Sequence, residues 1–263
     1  MLSVCTYFWH DPTGLNFRGR PAYQYVADDV RIWDAMVKRH LTIPHRRICI
    51  TDVPEEIDFM ETAPLIRLNT NGTCLSKLMS WRPDVEPILG PRFLIMDLDC
   101  IIVDNFDDIA GRTEDVVLWK HPMYVKGRAR PYYQGSLQLL NAGARPYVWT
   151  DMEDMMAKHH PQMIGKALNE RFGGMEQAWI SERLNTAWPE RGWEWDEAEW
   201  TTADGVYGIG SIMVGRGQEV GYTWPHQTTL PDNAKIVFTP GARAPRQAAL
   251  QAQHPWIKDH YYA

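Results

Sequence analysis

The run Phe93-Leu94-Ile95-Met96-Asp97-Leu98-Asp99-Cys100-Ile101-Ile102-Val103-Asp104 places two carboxylates one residue apart in an otherwise apolar stretch. The apolar residues on either side read as a strand covered on both faces. An ionised group without a partner is costly to bury, so paired acids do not belong in the middle of such a strand. The pattern predicts that the strand ends here, with Asp97 and Asp99 at a carboxyl edge, where open α/β sheets bind ligands. Carboxylates at i and i+2 past a strand end can hold Mg2+ or Mn2+ through one or two oxygens, leaving positions for water and phosphate. A cation there would neutralise a diphosphate leaving group.

The elements needed to position this pair can be traced along the chain. Leu2 to Phe8 reads as a first strand, followed by a Gly/Pro/Asn-rich loop from Asp11 to Pro21. Val30, Trp33, Val37 and Leu41 recur at helical spacing and predict a helix over Ala27 to His40 with one apolar face. Arg47 to Thr51 reads as a second strand with a polar end at Asp52, and Leu65 to Leu68 as a third. Cys74 to Trp81 predicts a helical turn or two, with Lys77 near its middle. Beyond the acidic pair, Val116 to Trp119 and Ser136 to Asn141 are candidate strands, Thr150 to His160 and Met175 to Leu184 candidate helices, and Ile209 to Val214 and Lys235 to Phe238 late strands. Strands alternating with helices over short connections imply α/β with a mostly parallel sheet. No repeat or linker divides the 263 residues, which favours one domain with a substantial core.

Composition narrows the class further. With 44% hydrophobic and 23% charged residues, the chain has the make-up of an ordinary globular protein. Twelve Trp suggest flat contacts or a sugar-facing surface, although most are expected to fill the core. No apolar run is long enough to cross a bilayer. Met1-Leu2-Ser3-Val4-Cys5 has no basic region leading into an apolar one, so no signal peptide is expected. Cys5, Cys49, Cys74 and Cys100 are scattered, and three of them lie in or beside strand-like runs, so buried free thiols and a cytoplasmic location are expected.

Taken together, these segments resemble the GT-A-fold glycosyltransferases, in particular the glycogenin-like branch and related bacterial and viral enzymes. Val4-Cys5-Thr6-Tyr7 is similar to their first strand. Tyr25-Val26, the helix after it and Arg47-Ile48-Cys49-Ile50-Thr51-Asp52 resemble their opening "YV…L…V.RH…CITD". Thr73-Cys74-Leu75-Ser76-Lys77-Leu78 looks like the segment that brings a lysine to the donor, and Phe93 to Asp104 like "hhYLDxDhhhhxDh". Gly174-Met175-Glu176-Gln177-Ala178-Trp179-Ile180 stands in the place of a "DQ" motif. Leu230 to Phe238, Gly241 to Pro245 and Pro255-Trp256-Ile257 resemble the ending "LP..A.IVHFHG..KPW". There are three departures. Phe238 stands where the family has a metal-ligating His, Gln134-Gly135-Ser136 replaces Asn-Ser-Gly, and Glu176 replaces Asp.

The resemblance implies a Rossmann-like GT-A fold, a central, mostly parallel mixed sheet flanked by helices, with residues 1–110 binding the nucleotide sugar and 111–263 the acceptor. It implies a metal-dependent transfer of sugar from a nucleotide sugar, with a UDP-sugar as the expected donor, to an acceptor hydroxyl. Asp97 and Asp99, flanking Leu98, would hold Mn2+ or Mg2+ and the donor, with His226 as a possible further ligand. Thr6 and Tyr7 would line the base, and Asp52 would lie near the nucleotide. Lys77 would act on the donor as a point charge, and Arg243 would grip the diphosphate. Gln134, Glu176 and Gln177 would face sugar and acceptor. Glu176 would serve as base if configuration inverts and would only orient the sugar if it is retained. Phosphatases of the haloacid dehalogenase type share hhhDxD, but carry it near the N-terminus with Gly-Thr following, unlike Cys100-Ile101-Ile102 here.

The acceptor is addressed by charge distribution. Net charge is −6, yet Val116 to Thr150 contains no acid while holding Lys120, Lys126, Arg128, Arg130 and Arg145 among aromatics. Lys235, Arg243, Arg246 and Lys258 form a second acid-free series. Bases interleaved with aromatics suit a polyanion whose bases can stack. The expected acceptor is therefore a hydroxymethylated pyrimidine in DNA, flipped from the duplex, with a glycan, lipid or protein as the alternative. A non-catalytic, Trp-rich carbohydrate-binding protein is the competing class.

Overall fold

The computed structural model describes residues 1–10, 23–68, 73–120, 132–158, 176–184, 196–209, 229–239 and 244–262. The expected loop at 11–21, most of the basic run (121–131), the expected strand beyond Ile209, His226 and Arg243 lie outside the described residues.

The strands are β1 (Leu2–Phe8), β2 (His45–Thr51), β3 (Glu61–Pro64), β4 (Arg92–Met96), β5 (Cys100–Ile102), β6 (Val116–Lys120), β7 (Tyr133–Asn141), β8 (Ala198–Trp200), β9 (Val206–Gly208) and β10 (Ile236–Phe238). Seven of them form one sheet in the order β3-β2-β1-β4-β7-β6-β8. Only β7 runs against the rest, pairing antiparallel with both β4 and β6, while the other four pairings are parallel. The protein is thus α/β with a mostly parallel mixed sheet, as the alternation of elements implied.

Alternate residues of β1 serve the two faces. Leu2, Val4 and Phe8 join Val30, Trp33 and Val37 of the first helix, α1 (Ala27–His40), in one apolar cluster. Cys5 and Tyr7 join the opposite cluster, which includes Val148 and Trp149 of α2 (Tyr147–Lys158) and Trp179 and Ile180 of α3 (Glu176–Leu184). Both faces are therefore covered by helices, which is why the central strands are apolar throughout. The α1 helix begins where the Asp29 carboxylate accepts from the Val26 N–H at 2.9 Å. Its last turn carries Lys38, Arg39 and His40, which suit the negative end of the helix dipole.

One expectation is corrected. The third strand is Glu61–Pro64 rather than Leu65–Leu68. It is an edge strand with only Ala63 buried, so it carries little apolar signal, and Arg46 of β2 pairs with Glu61 to hold its start. The Leu65 N–H still donates to Thr51 O at 2.9 Å before residues 65–68 leave the sheet. Strands β8 and β9 carry no signal in the sequence, being three residues each and too short for a periodic pattern. Cys5, Cys49 and Cys100 are buried free thiols, as expected. Trp33, Trp81, Trp119 and Trp200 are fully buried, so these four serve the core rather than a sugar-facing surface. Among the described residues no helix is long and apolar enough to cross a membrane.

A second sheet, β5-β10-β9, takes the chain up immediately after the acidic pair. Phe238 of β10 pairs antiparallel with Cys100, and β9 lies parallel on the other side of β10. The turn into β9 needs Gly205, whose φ of +85° favours glycine and whose missing Cβ would overlap Asn233 O. Gly205→Ala is expected to destabilise the protein by about 2 kcal/mol, read as a shift in urea midpoint at unchanged slope; no shift would mean that β9 bends freely.

Candidate active site

Parallel β1, β2 and β4 present their carboxyl ends at one edge, with Phe8 opposite Thr51 and Cys5 opposite Ile95. β4 stops at Met96, where the pattern predicted a strand end. Leu98 turns into the core, and its neighbours Asp97 and Asp99 both stay partly exposed. Each sheet holds one end of this turn. The Asp97 N–H donates to Ser136 O of β7 at 3.0 Å. The carbonyl of Asp99 accepts from the Thr239 N–H at 2.7 Å and from Thr239 Oγ1 at 3.1 Å.

Lys77 reaches the pair from a 3-10 segment, Thr73–Trp81, on the face covered by α2 and α3. Its backbone carbonyl accepts from Tyr7 Oη at 3.0 Å and from Ser80 Oγ at 2.9 Å, so β1 sets where the lysine emerges. Nζ lies 2.7 and 2.6 Å from the two oxygens of Asp97 and 3.7 Å from Glu176 Oε1. Burial by itself would lower the Lys77 pKa, but the charges of Asp97 and then Glu176 more than offset it, and the ammonium is held well above its ordinary value.

Glu176 opens α3, which packs on β7. The register of β7 shifts beside it: Leu118 faces Gln138, while the next residue, Trp119, faces Gln134. Such irregularities re-aim side chains and are frequent beside active sites. Here the shift sets Gly135 against Glu176, where any Cβ would overlap Oε1. The Gly135 N–H also donates to Gln177 Oε1 at 3.4 Å. Burial, opposed by Lys77 and reinforced by Asp97, raises the Glu176 carboxyl above the usual range.

The surroundings of Asp99 suit a cation ligand. Its Oδ1 is buried and accepts no hydrogen bond. Burial, then the negative charge of Asp97, pushes the carboxyl up to about 7 against the pull of Lys77. An acceptor left without a donor and a carboxylate that ionises reluctantly both fit a site completed by a positive ligand. Asp97 and Asp99 would then be its protein ligands; among the described residues no three His, Cys, Asp or Glu are grouped to hold a metal. Phe238 is fully buried and stacked on Trp119, with ring centroids 4.7 Å apart, so the position expected for a His serves the core.

The remaining expected residues are distributed as follows. Thr6 is wholly buried, and Tyr7 is buried with its hydroxyl committed to Lys77, so neither presents an open face to a base. Asp52 sits at the end of β2, 2.7 Å from Arg67 Nε. Gln134 is buried opposite Trp119, and its Oε1 has no partner. Thr239 and Gly135 carry no site signal of their own in the sequence; both stand where the resemblance to the glycosyltransferase motifs breaks. The basic runs are less free than they read, since Lys120 pairs with Glu199, Arg145 with Glu197, Lys235 with Asp108 and Arg246 with Asp28.

No protein-family model matches the chain, and no curated protein matches it closely enough to count as a relative.

Removing the Lys77 ammonium leaves Asp97 in a largely buried position without its partner. Lys77→Met is expected to cost about 3 kcal/mol, measured by urea denaturation; a loss below about 0.5 kcal/mol, the scale of an exposed pair, would show the pair to be solvated. The raised Asp99 carboxyl has a definite sign. Its folded pKa of about 7 lies above the ordinary 3.8, so the stability it contributes is present below the unfolded value and lost as pH rises through the folded one. In EDTA, Tm is expected to fall between about pH 4 and about pH 7, and Asp99→Asn should flatten that slope. An unchanged slope in the variant would assign it elsewhere.

Proposed function

We propose that this protein is a glycosyltransferase of the GT-A type that moves a sugar from a nucleotide sugar, with UDP as the expected nucleotide, to an acceptor hydroxyl. The observation that carries the reading is the meeting of Lys77, Asp97 and Glu176 at the carboxyl edge. Three segments far apart in the chain bring one ammonium within 2.7 Å of one carboxylate and 3.7 Å of another. Lys77 and the two Asp come from the half assigned to the donor, and Gln134, Glu176 and Gln177 from the half assigned to the acceptor. The resemblance in motif and the orphaned oxygen of Asp99 support the same reading.

Asp97 and Asp99 would hold a divalent cation, which when bound supplies positive charge beside a leaving diphosphate. Lys77 is committed to Asp97 and Glu176, so it acts on the donor through its charge and by fixing both carboxylates. In an inverting transfer, the acceptor oxygen attacks the anomeric carbon as the bond to the diphosphate oxygen breaks, and Glu176 takes the acceptor proton. Its raised carboxyl suits a base. In a retaining transfer Glu176 orients the sugar. A phosphatase with Asp97 as nucleophile has weaker support, because Cys100-Ile101-Ile102 follows the acidic pair where that class carries Gly-Thr.

A thermal-shift panel of nucleotide sugars, each with and without Mn2+, tests the reading. Stabilisation that needs both components, of about 3 kcal/mol at a hundredfold excess over Kd, is the expected result. Phosphate release from simple phosphate esters, without any nucleotide response, would favour the phosphatase instead. Sugar binding indifferent to nucleotide and cation would favour the carbohydrate-binding protein.

A further inference from the structure

We infer that Gln138 is a positioning residue for the transfer, a role that rests on the transferase reading above. Its side-chain amide ties the segment bearing Lys77 to the part of β7 that seats Glu176. Gln138 stands within β7, opposite Ile95 of β4 and Leu118 of β6. It is 1% exposed, and both neighbours belong to the apolar cluster covered by α2 and α3. A leucine would fill such a place at less cost, since a buried amide must bond at both ends. Here both ends are met. Trp81 Nε1 donates to Gln138 Oε1 at 2.9 Å, and Gln138 Nε2 donates to Gly135 O at 2.8 Å. An indole N–H only donates and a carbonyl only accepts, so the amide fits in one orientation.

The bond to Gly135 holds a place where the sheet is irregular. Between the pairs Leu118–Gln138 and Trp119–Gln134, the β7 residues Gly135, Ser136 and Leu137 have no partner in β6. Side chains bond Gly135 instead: its carbonyl accepts from Gln138, and its N–H donates to Gln177 Oε1 of α3 at 3.4 Å. Ser136 O keeps its bond to the Asp97 N–H. These contacts reach the site directly, because Gly135 lies against the Glu176 carboxylate and Asp97 accepts from Lys77. Trp81 makes the connection from the other side. It ends the 3-10 segment that carries Lys77, and its neighbour Ser80 donates to the Lys77 carbonyl. One buried amide therefore fixes the seat of Glu176 relative to the segment that presents Lys77, across the 3.7 Å between Nζ and Oε1. Apolar packing has no such directionality, and a misplacement of about 1 Å in a site can cost about a hundredfold in rate.

The test compares the full-length wild type, with Mn2+ present, with Gln138→Met, which keeps the bulk and offers no amide. Calorimetric titration with UDP counts the sites and gives Kd, and UDP release from UDP-glucose is followed with water as acceptor. Per site, kcat is expected to fall at least about tenfold, while KM and the Kd for UDP stay within about twofold. The Lys77 ammonium, assigned in 15N-lysine spectra by its loss in Lys77→Met, should shift in Gln138→Met. If Gln138→Met does not fold, Trp81→Phe, which removes only the indole donor, takes its place with kcat as the readout. Where water is too poor an acceptor for turnover, the ammonium signal decides alone. An ammonium that stays in place, or a kcat within about twofold of wild type, would overturn the inference and leave the transferase reading intact. Failure of the wild type to bind UDP would overturn that reading, and the inference with it.

Discussion

The buried pair between Lys77 and Asp97 is the interaction on which the rest of the site depends. Neither charge could stay where it is without the other, since a lone ion in such surroundings would neutralise or force the turn open. Around it, the fold spends several unrelated contacts on geometry. Tyr7 and Ser80 grip the lysine backbone, Ser136 holds the Asp97 amide, and Thr239 holds the Asp99 carbonyl. These contacts come from β1, the 3-10 segment, β7 and the end of β10. A strand end, by itself a soft feature, is thereby fixed from four directions.

One consequence is an imbalance of charge. Asp97 is matched by Lys77, but Asp99 and Glu176 are matched only in part, and both carboxyls are raised by burial and by Asp97. A stability-optimised core would not keep such groups. Sites that bind and transform ligands do, because the ligand supplies what the protein withholds. The acid-free runs show the reverse. Lys120, Arg145, Lys235 and Arg246 look unopposed along the chain, yet each meets a carboxylate contributed by another segment. Among the described residues, linear charge distribution overstates the free positive surface, because ion pairing is decided in space.

Much of this was legible in the residues. The end of β4 followed from the cost of burying two acids. The α1 helix followed from the spacing of Val30, Trp33 and Val37, and the α/β class from alternation of elements. Edge strand β3 was misplaced because Glu61-Thr62-Ala63-Pro64 has almost no apolar pattern, its place being set by backbone pairing to β2 and by Arg46. Strands β8 and β9 escaped for a similar reason: three residues cannot display a period.

By itself, the sequence determined the chemistry at hand: two carboxylates at a strand end, a lysine on a nearby helical turn, and a glutamate heading a helix. Local spacing suffices for that, since strand and helix periods are properties of neighbouring residues. Only the tertiary structure decided that Lys77 serves Asp97 rather than solvent, that Gly135 is the seat of Glu176, and that Thr239, just past β10, holds the turn while Phe238 goes to the core. Those outcomes depend on sheet order and on a register shift in β7, which join residues up to 140 positions apart. No local pattern encodes such distances, so the partners became visible only once the strands were in place.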